Sequence, residues 1–290
     1  MNRIGVVAPQ TLLGEAVLGQ LAEAGWPADR VIALADDADA GARVDYGSTR
    51  LTVKQITEFD FGGVNHVVIA ANGERYGWLI RQVLDDGCHV AALAPLGDDL
   101  PASARSPVMA VPDSAALVAQ RVLRASASLG QVSRADLVSL EPASARGQEA
   151  LQRLAQESAD VLNARSPEAG RGDAVRAFNA LGGTGECLDV AGVRVGVTRV
   201  EVPVFFGNGF VCHIGFEDAV DPEELAQALA AEDGIRRWQA ERPSSVRDSI
   251  DATELEASVL TEGREALQQL WITADNLQLR AAALLNGLRT

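Results

Sequence analysis

The first hundred residues alternate between short apolar runs and amphipathic stretches, and this rhythm strongly constrains the fold. Runs typical of buried strands are "RIGVVA", "RVIALAD", "VNHVVIAAN" and "CHVAAL", with "RLTVKQI" as a further candidate. Between them, "LLGEAVLGQLAEAG" and "ERYGWLIRQVLDDG" have helical spacing. Strands that alternate with helices in this way form a parallel sheet with helices on both faces. The sequence therefore predicts a doubly wound α/β domain.

The second half of the chain predicts an α+β domain. "VRVGVTRVEVPVFF" and "GFVCHIGFEDAV" alternate apolar and polar residues around "GNG", which predicts an antiparallel hairpin with its turn at Asn208-Gly209. "ALQQLWITAD" predicts another strand. Helices are predicted for "DSAALVAQRVLRASASLG", "ARGQEALQRLAQESADVLNA", "DPEELAQALAAED" and "NLQLRAAALLNGL". The architecture is a Rossmann-like domain followed by a mostly antiparallel one.

Composition excludes several classes of partner. The 290 residues carry a formal net charge of −15, whereas nucleic-acid binding needs clustered Lys and Arg. No apolar run approaches the about 20 residues of a membrane-spanning helix, and "MNRIGVVAP" does not read as a secretion signal. The three cysteines are far apart, so neither a zinc site nor a disulfide framework is predicted. We expect a cytoplasmic protein that binds no nucleic acid, membrane or metal.

Five segments occur in an order that is typical of a known family. They are "AVPDSAALVAQRVL", "ASARGQEALQRLAQESADVLN", "AFNAL", "VEVPVFFGNG" and "WITADNLQLRAAALLN". In this order the chain resembles the aspartate-semialdehyde dehydrogenase family, especially its divergent Usg-like branch. The resemblance implies a Rossmann-like nucleotide-binding-type domain over residues 1–112 and an α+β dimerisation domain over 113–274. It also implies a last helix over 275–290 that returns to the first domain, and a homodimer.

Members of this family reduce an acyl phosphate with NADPH through a cysteine thioester, but the matching positions here hold other residues. Ser114 stands at the nucleophile position, and it or Asp113 also suits a helix N-cap. Asn208 stands at the acid/base histidine position, where an amide cannot transfer a proton near neutral pH. The glutamine-type substrate position falls near Arg146, which either binds an anion or is a solvated arginine of a first helical turn.

The phosphate loop that the resemblance implies has lost most of its glycines. The family's G-A-T-G-x-V-G reads "APQTLLG" here, from Ala8 to Gly14. Glycines in such a loop allow tight turns and a close approach of backbone N–H groups to phosphates. Thr11 either offers its hydroxyl to a phosphate or simply caps the following helix. The second interpretation, a plain strand-to-helix turn, is favoured.

Among the other positions that bear on cofactor binding, some keep a suitable residue and one does not. Asp36 or Asp37, after the second strand, is placed to hold a ribose hydroxyl, and Asn276 is kept at the start of the last helix. Arg280 replaces a glycine that lies close to the nicotinamide in the family, so its side chain is expected to fill that space. NADP or NAD remains an open possibility as cofactor.

Three functions are compatible with this sequence. The first is a catalytically inactive dimer that acts by interaction or regulation, with a protein partner that the sequence does not name. The second is an NAD(P)-dependent oxidoreductase acting on an aldehyde or acyl phosphate, and the third is a module that binds a nucleotide without turnover. The joint loss of nucleophile, base and phosphate loop favours the first. Residues interpreted as packing or surface residues are His66, His89, Arg194, Arg199 and the pair Cys212-His213.

Overall fold

The computed structural model describes residues 2–36, 39–96, 108–167, 174–238 and 242–288. The chain divides into two units by its contacts, and each has a sheet of its own. The first unit comprises residues 1–113 with 280–290, and the second comprises 114–279. Among the described residues, no helix is long and apolar enough to cross a membrane.

The first unit is built on a six-stranded parallel sheet. Its elements are β1 (Ile4–Val7), α1 (Leu12–Glu23), β2 (Val31–Ala35), β3 (Arg43–Tyr46), β4 (Thr49–Thr52), β5 (Lys54–Gln55), β6 (His66–Asn72), α2 (Gly77–Asp85), β7 (His89–Leu93) and β8 (Val108–Val111). The strand order is β5-β2-β1-β6-β7-β8, with every neighbouring pair parallel. The chain thus winds outward in both directions from the centre, which confirms the predicted doubly wound sheet.

The predicted strand "RLTVKQI" is divided between two sheets. Thr49–Thr52 pairs with Arg43–Tyr46 in a separate antiparallel hairpin, and only Lys54–Gln55 joins the parallel sheet beside β2. The run is only partly apolar, because Arg50, Thr52 and Lys54 are exposed. A strand at the rim of a sheet does not need the continuous apolar pattern of the central strands.

The second unit is built on a seven-stranded mixed sheet. Its elements are α3 (Ser114–Ser126), β9 (Val132–Glu141), α4 (Gln148–Leu162), β10 (Leu181–Val190), β11 (Val193–Glu201), β12 (Asn208–Val220), α5 (Pro222–Ala231), β13 (Ile235–Arg237), β14 (Leu255–Val259) and β15 (Glu265–Ala274). The last helix, α6 (Asn276–Asn286), begins in this unit, and its residues from Arg280 onward belong to the first unit. The strand order is β10-β11-β9-β12-β15-β14-β13. Only β11–β9 and β13–β14 are parallel pairs, so the predicted α+β architecture is confirmed.

The hairpin predicted at Asn208-Gly209 is wrong. Strands β11 and β12 do not pair, because β9 lies between them, parallel to β11 and antiparallel to β12. Asn208 already belongs to β12, opposite Ala274, and the left-handed residue of the connection is Gly207, with φ of +86°. Both segments form strands, as their alternation predicts, but local sequence does not show that a distant strand lies between them.

A two-residue hairpin lies one strand earlier, between β10 and β11. Val190 pairs with Val193, and the two residues between them, Ala191 and Gly192, have φ of +53° and +80°. Two successive positive φ values are the signature of the type I′ turn that matches the twist of paired strands.

The cysteines are spread over buried and exposed positions. Cys212 on β12 is 4% exposed, and burial raises the pKa of its thiol to about 12. His213, the next residue, is only half-buried and points to the opposite face of the sheet, so the two form no dyad. Cys88 is buried as well, and burial raises its pKa, whereas Cys187 on β10 is exposed.

Hydrogen bonds to Glu157 on α4 hold the segment before β10 against that helix. Its carboxylate is 5% exposed and accepts hydrogen bonds from Arg153 Nε at 2.8 Å, Arg176 N at 2.6 Å and Ala177 N at 3.1 Å. Burial alone would raise the pKa of this carboxyl, but the three hydrogen bonds outweigh burial and lower the pKa.

We expect Glu157→Ala to lower the free energy of unfolding by about 2 to 4 kcal/mol at pH 7, because it leaves buried donors without an acceptor. The folded-state pKa of Glu157 is lowered, so its stabilisation is present above the ordinary glutamate pKa and is lost as pH falls through the folded value. The deficit of the variant should therefore shrink in acid. Urea unfolding at several pH values measures it, with the exposed Glu149→Ala as control; equal losses in both variants would contradict the assignment.

Candidate functional site

The loop between β1 and α1 is closed by its own hydrogen bonds. Thr11 is the N-cap of α1: its hydroxyl donates to the Ala8 carbonyl at 2.8 Å and accepts from the Gly14 N–H at 3.0 Å. It also lies 3.2 Å from the Ala70 carbonyl. Ala8 has φ of +58°, a conformation that the family's glycine adopts without strain. The Thr11 hydroxyl is thus engaged inside the loop as a helix cap.

Gly14 has a packing role in the same loop. A Cβ at this position would lie 2.2 Å from the Ala8 carbonyl oxygen and 2.7 Å from Pro9 Cα. Helix α1 therefore sits directly against the loop that precedes it, and this close approach requires glycine.

Asp36 follows the carboxyl end of β2 and already has a partner in the first unit. Arg75 Nη2 lies 2.5 Å from Asp36 Oδ2, and both side chains are partly exposed. Burial raises the pKa of the adjacent Tyr76, and the charge of Asp36 raises it further. Sequence reasoning missed Arg75, although its place just after β6 was a signal, because the carboxyl ends of parallel strands meet at one edge. Asp37, the alternative, lies outside the described residues.

In the second unit, Ser114 is the first residue of α3. It is 9% exposed. A hydroxyl at this place has none of the thiolate chemistry that a helix N-terminus promotes in cysteine.

Asn208 is buried at the start of β12. It is 2% exposed, and its Nδ2 lies 3.4 Å from the hydroxyl of Ser139, which is 1% exposed. Its Oδ1 is buried and has no hydrogen-bond partner among the described residues. Neither side chain titrates, so the pair cannot act as a general acid or base. Ser139 was not identified from the sequence.

The start of α6 is fixed by Asp275 and Asn276. Asp275 Oδ1 accepts from the Leu277 and Gln278 amides at 2.9 and 3.1 Å, as an N-cap does. Asn276 is 3% exposed, and its Oδ1 accepts from the Ser144 hydroxyl at 3.0 Å. Asn276 is therefore held by its own chain.

Two of the three second-unit arginines named in the sequence analysis differ from expectation. Arg146 lies in a short 3-10 turn, Ala143–Arg146, before α4 rather than in its first turn, and it forms an ion pair with Glu201. Arg199 is not a surface residue: its side chain is 20% exposed and its Nη1 lies 2.6 Å from Glu141 Oε1. Arg194 is exposed on β11, as predicted.

The candidate residues thus form two groups. Thr11, Gly14 and Asp36 lie in the first unit, at the carboxyl edge of its parallel sheet. Ser114, Asn208, Arg146 and Asn276 lie in the second unit. In the part of the chain that the structure describes, no group of three His, Cys, Asp or Glu is arranged to hold a metal.

Comparison with known proteins places these observations in context. No family model matches the chain. The USG-1 protein homolog of Pseudomonas aeruginosa is 28% identical over 319 residues, covering 96% of this chain and 94% of that protein. The USG-1 protein homolog of Azotobacter vinelandii is 26% identical, and aspartate-semialdehyde dehydrogenase 2 of Vibrio cholerae is 22% identical over 93% of this chain.

Solved structures agree with this picture. A probable aspartate-semialdehyde dehydrogenase from P. aeruginosa superposes with a TM-score of 0.87 at 24% identity, covering 98% of this chain and 97% of that one. Aspartate semialdehyde dehydrogenase II from V. cholerae superposes with a TM-score of 0.85 at 19% identity, covering 99% and 98%. The resemblance to the aspartate-semialdehyde dehydrogenase family, in its Usg-like branch, is confirmed. The semialdehyde dehydrogenase-like fold predicted from the sequence is confirmed with it.

Two glycines of α1 provide a matched test of the loop packing. We expect Gly14→Ala to lower the free energy of unfolding by about 1 to 3 kcal/mol, because its Cβ meets backbone that cannot move aside. Gly19→Ala, on the same helix with nothing within 4 Å, should raise stability by about 0.5 to 1 kcal/mol. Chemical denaturation of both variants measures this, and a stabilised Gly14→Ala would show that the close approach is absent.

Proposed function

We propose that this chain is a semialdehyde dehydrogenase-like protein that has lost catalysis and acts as a dimeric interaction or regulatory protein in the cytoplasm. The observation that carries the proposal is Asn208, which stands at the family's acid/base position, is 2% exposed and lies beside the hydroxyl of Ser139. A buried amide beside a buried hydroxyl provides no group that exchanges a proton near neutral pH.

The nucleophile position supports the same conclusion. A serine hydroxyl ionises far less readily than a thiol and needs an adjacent base to attack a carbonyl. Asn208 at the family's histidine position cannot be that base. Acyl transfer here would therefore lack both the covalent intermediate and the proton transfer that the family uses.

A second candidate function, nucleotide binding without turnover, is favoured by one pair of residues. Asp36 and Arg75 lie at the carboxyl edge of the parallel sheet, and both side chains are partly exposed. A carboxylate and a guanidinium at this edge are the groups that bind a ribose hydroxyl or its phosphate. The Thr11 hydroxyl is committed to the helix cap, which weakens the phosphate side of such a site. An oxidoreductase acting on an aldehyde or acyl phosphate is the third candidate and rests on fold alone.

Calorimetric titration with NADP and NAD at low salt separates these functions. We expect no saturable heat up to millimolar nucleotide, because the loop keeps only Gly14 of its glycines and the Thr11 hydroxyl is engaged. Micromolar binding that is lost in Asp36→Ala would instead establish the nucleotide-binding function.

Substitution of Ser114 tests the loss of catalysis. We expect no reduction of NADP with aspartate semialdehyde and phosphate, and Ser114→Ala should give the same trace as the unchanged protein. Its thermal unfolding, followed by circular dichroism, is the control for folding. Measurable turnover that disappears in Ser114→Ala would overturn the proposal.

The proposed homodimer is tested by size. Multi-angle light scattering behind gel filtration should give twice the 30.5 kDa of the chain at micromolar concentration. A mass of one chain that does not change with concentration would refute the dimer.

A further inference from the structure

The hairpin of β14 and β15 extends beyond β13 at the outer edge of the seven-stranded sheet. Strand β13 pairs with β14 only as far as Arg237 opposite Ala257. The last backbone contact on this side is the bond from the Trp238 amide to the Ala257 carbonyl at 3.1 Å. Strand β14 itself continues to Val259. Its end therefore forms a stretch of sheet edge that β13 does not cover.

The backbone of Val259 faces outward at this edge. The Leu260 amide donates to the Gln269 carbonyl at 2.8 Å, so the backbone of Leu260 faces β15. In an antiparallel ladder the adjacent residue turns its N–H and C=O to the opposite side. Among the described residues, no backbone group on that side pairs with the N–H or C=O of Val259. Val259 thus presents one donor and one acceptor at the edge.

A groove of about 300 Å³ lies along this free edge. Besides the end of β14, it is lined by the start of α5 and by the segment that follows β13, with Pro222, Glu223, Ala226, Trp238, Arg242 and Pro243. Its volume falls in the range of ligand sites in proteins. The unpaired backbone of β14 is therefore one wall of a groove with side chains around it.

The two sides of the groove differ in chemistry. Arg237 and Trp238 are successive residues of an extended chain, so their side chains point to opposite faces of the sheet. Arg237 binds both carboxylate oxygens of Glu223 on α5, at 2.8 and 2.9 Å, and therefore lies on the face that α5 covers. Trp238 lies on the other face, where its indole N–H donates to the Arg242 carbonyl at 2.6 Å. One side is a neutralised ion pair and the other is a fixed aromatic ring.

The Trp238 side combines apolar surface with an unused hydroxyl. Leu260 is 43% exposed, and it lines the groove together with Pro243 and Ser258. The Oγ of Ser258 is buried and has no hydrogen-bond partner among the described residues. A buried hydroxyl without a partner is unfavourable, which indicates that a polar group from outside the chain completes it.

We infer that this groove binds an extended segment of a partner protein as an added strand, which continues the line of β13 beside β14. The added strand exchanges two backbone hydrogen bonds with Val259, and its side chains alternate between the α5 side and the Trp238 side. Both arginines of the groove are paired with carboxylates, so the favoured segment is uncharged. This surface goes beyond the proposed dimer and depends neither on it nor on the loss of catalysis.

A blocked pentapeptide of alternating threonine and valine is a suitable probe, because both residues favour extended backbone. In amide NMR spectra of the full chain, we expect the peptide to shift Val259 saturably and to slow the exchange of its amide proton with solvent. The Leu260 amide is already bonded to Gln269 and should keep its exchange rate. An unchanged Val259 amide at millimolar peptide would overturn the inference.

Two N-methylated forms of the same peptide locate the contact. Alternate amides of an added strand face the sheet edge, and the others face away from it. Methyl groups on one alternating set should therefore abolish binding, and methyl groups on the other set should leave it. Equal affinities of the two forms would show that the peptide is not held as a strand. This comparison needs no variant of the protein, so it decides the question even if a substitution prevents folding.

Substitutions at Val259 test the edge itself. Val259→Pro removes the N–H that faces the groove and should weaken peptide binding about tenfold. Val259→Ala shortens the side chain but keeps this N–H, so its affinity should stay close to that of the unchanged protein. Equal affinity in a folded Val259→Pro protein, or an equal loss in both variants, would contradict strand addition.

A pair of tryptophan variants tests the apolar side of the groove. Trp238→Ala removes the aromatic face and should weaken peptide binding about tenfold. Trp78→Ala, on α2 in the first unit with a 42% exposed side chain, removes the same group elsewhere and should leave binding unchanged. An equal effect of both variants would show general apolar adsorption rather than binding in this groove.

Discussion

Strand β9 is hydrogen-bonded along both sides, and the second unit depends on this double pairing. On one side it runs parallel to β11, from Ala135 opposite Val195 to Glu141 opposite Glu201. On the other side it runs antiparallel to β12 over much of its length. The same strand places Ser139 beside Asn208 and places Glu141 next to the paired end of β11. A shift of β9 by one residue would exchange its inward and outward faces and separate both sets of side chains.

Four of the side chains that the sequence matches to the family's functional positions are engaged by their own chain. Thr11 caps α1, Asp36 pairs with Arg75, Asn276 accepts from Ser144, and Arg146 pairs with Glu201. A site prepared for a ligand keeps donors and acceptors aimed into an open space. At these four positions the polar groups form internal contacts instead.

Much of the fold follows from local patterns, and the exceptions have physical causes. The parallel sheet was predicted because "VNHVVIAAN" and its neighbours are continuously apolar, as strands covered on both faces must be. The hairpin at Asn208-Gly209 failed because pairing with β9 is a long-range property that no short segment encodes. Arg199 was placed on the surface because arginine is mostly exposed in proteins. It shares a face of β11 with the buried Val195 and Val197, and its contacts with Glu141 and Glu186 come from the strands on either side of it. Side-chain partners of this kind depend on register, and register is visible only in the folded chain.

The three cysteines differ in chemical accessibility, and this has a practical consequence. Cys88 and Cys212 are buried with raised thiol pKa values, so at neutral pH both are protonated and shielded from reagents. Cys187 is exposed on β10, opposite Gly196 of β11. The native sequence therefore carries a single exposed thiol. A maleimide dye would label strand β10 at this one position without any engineered cysteine.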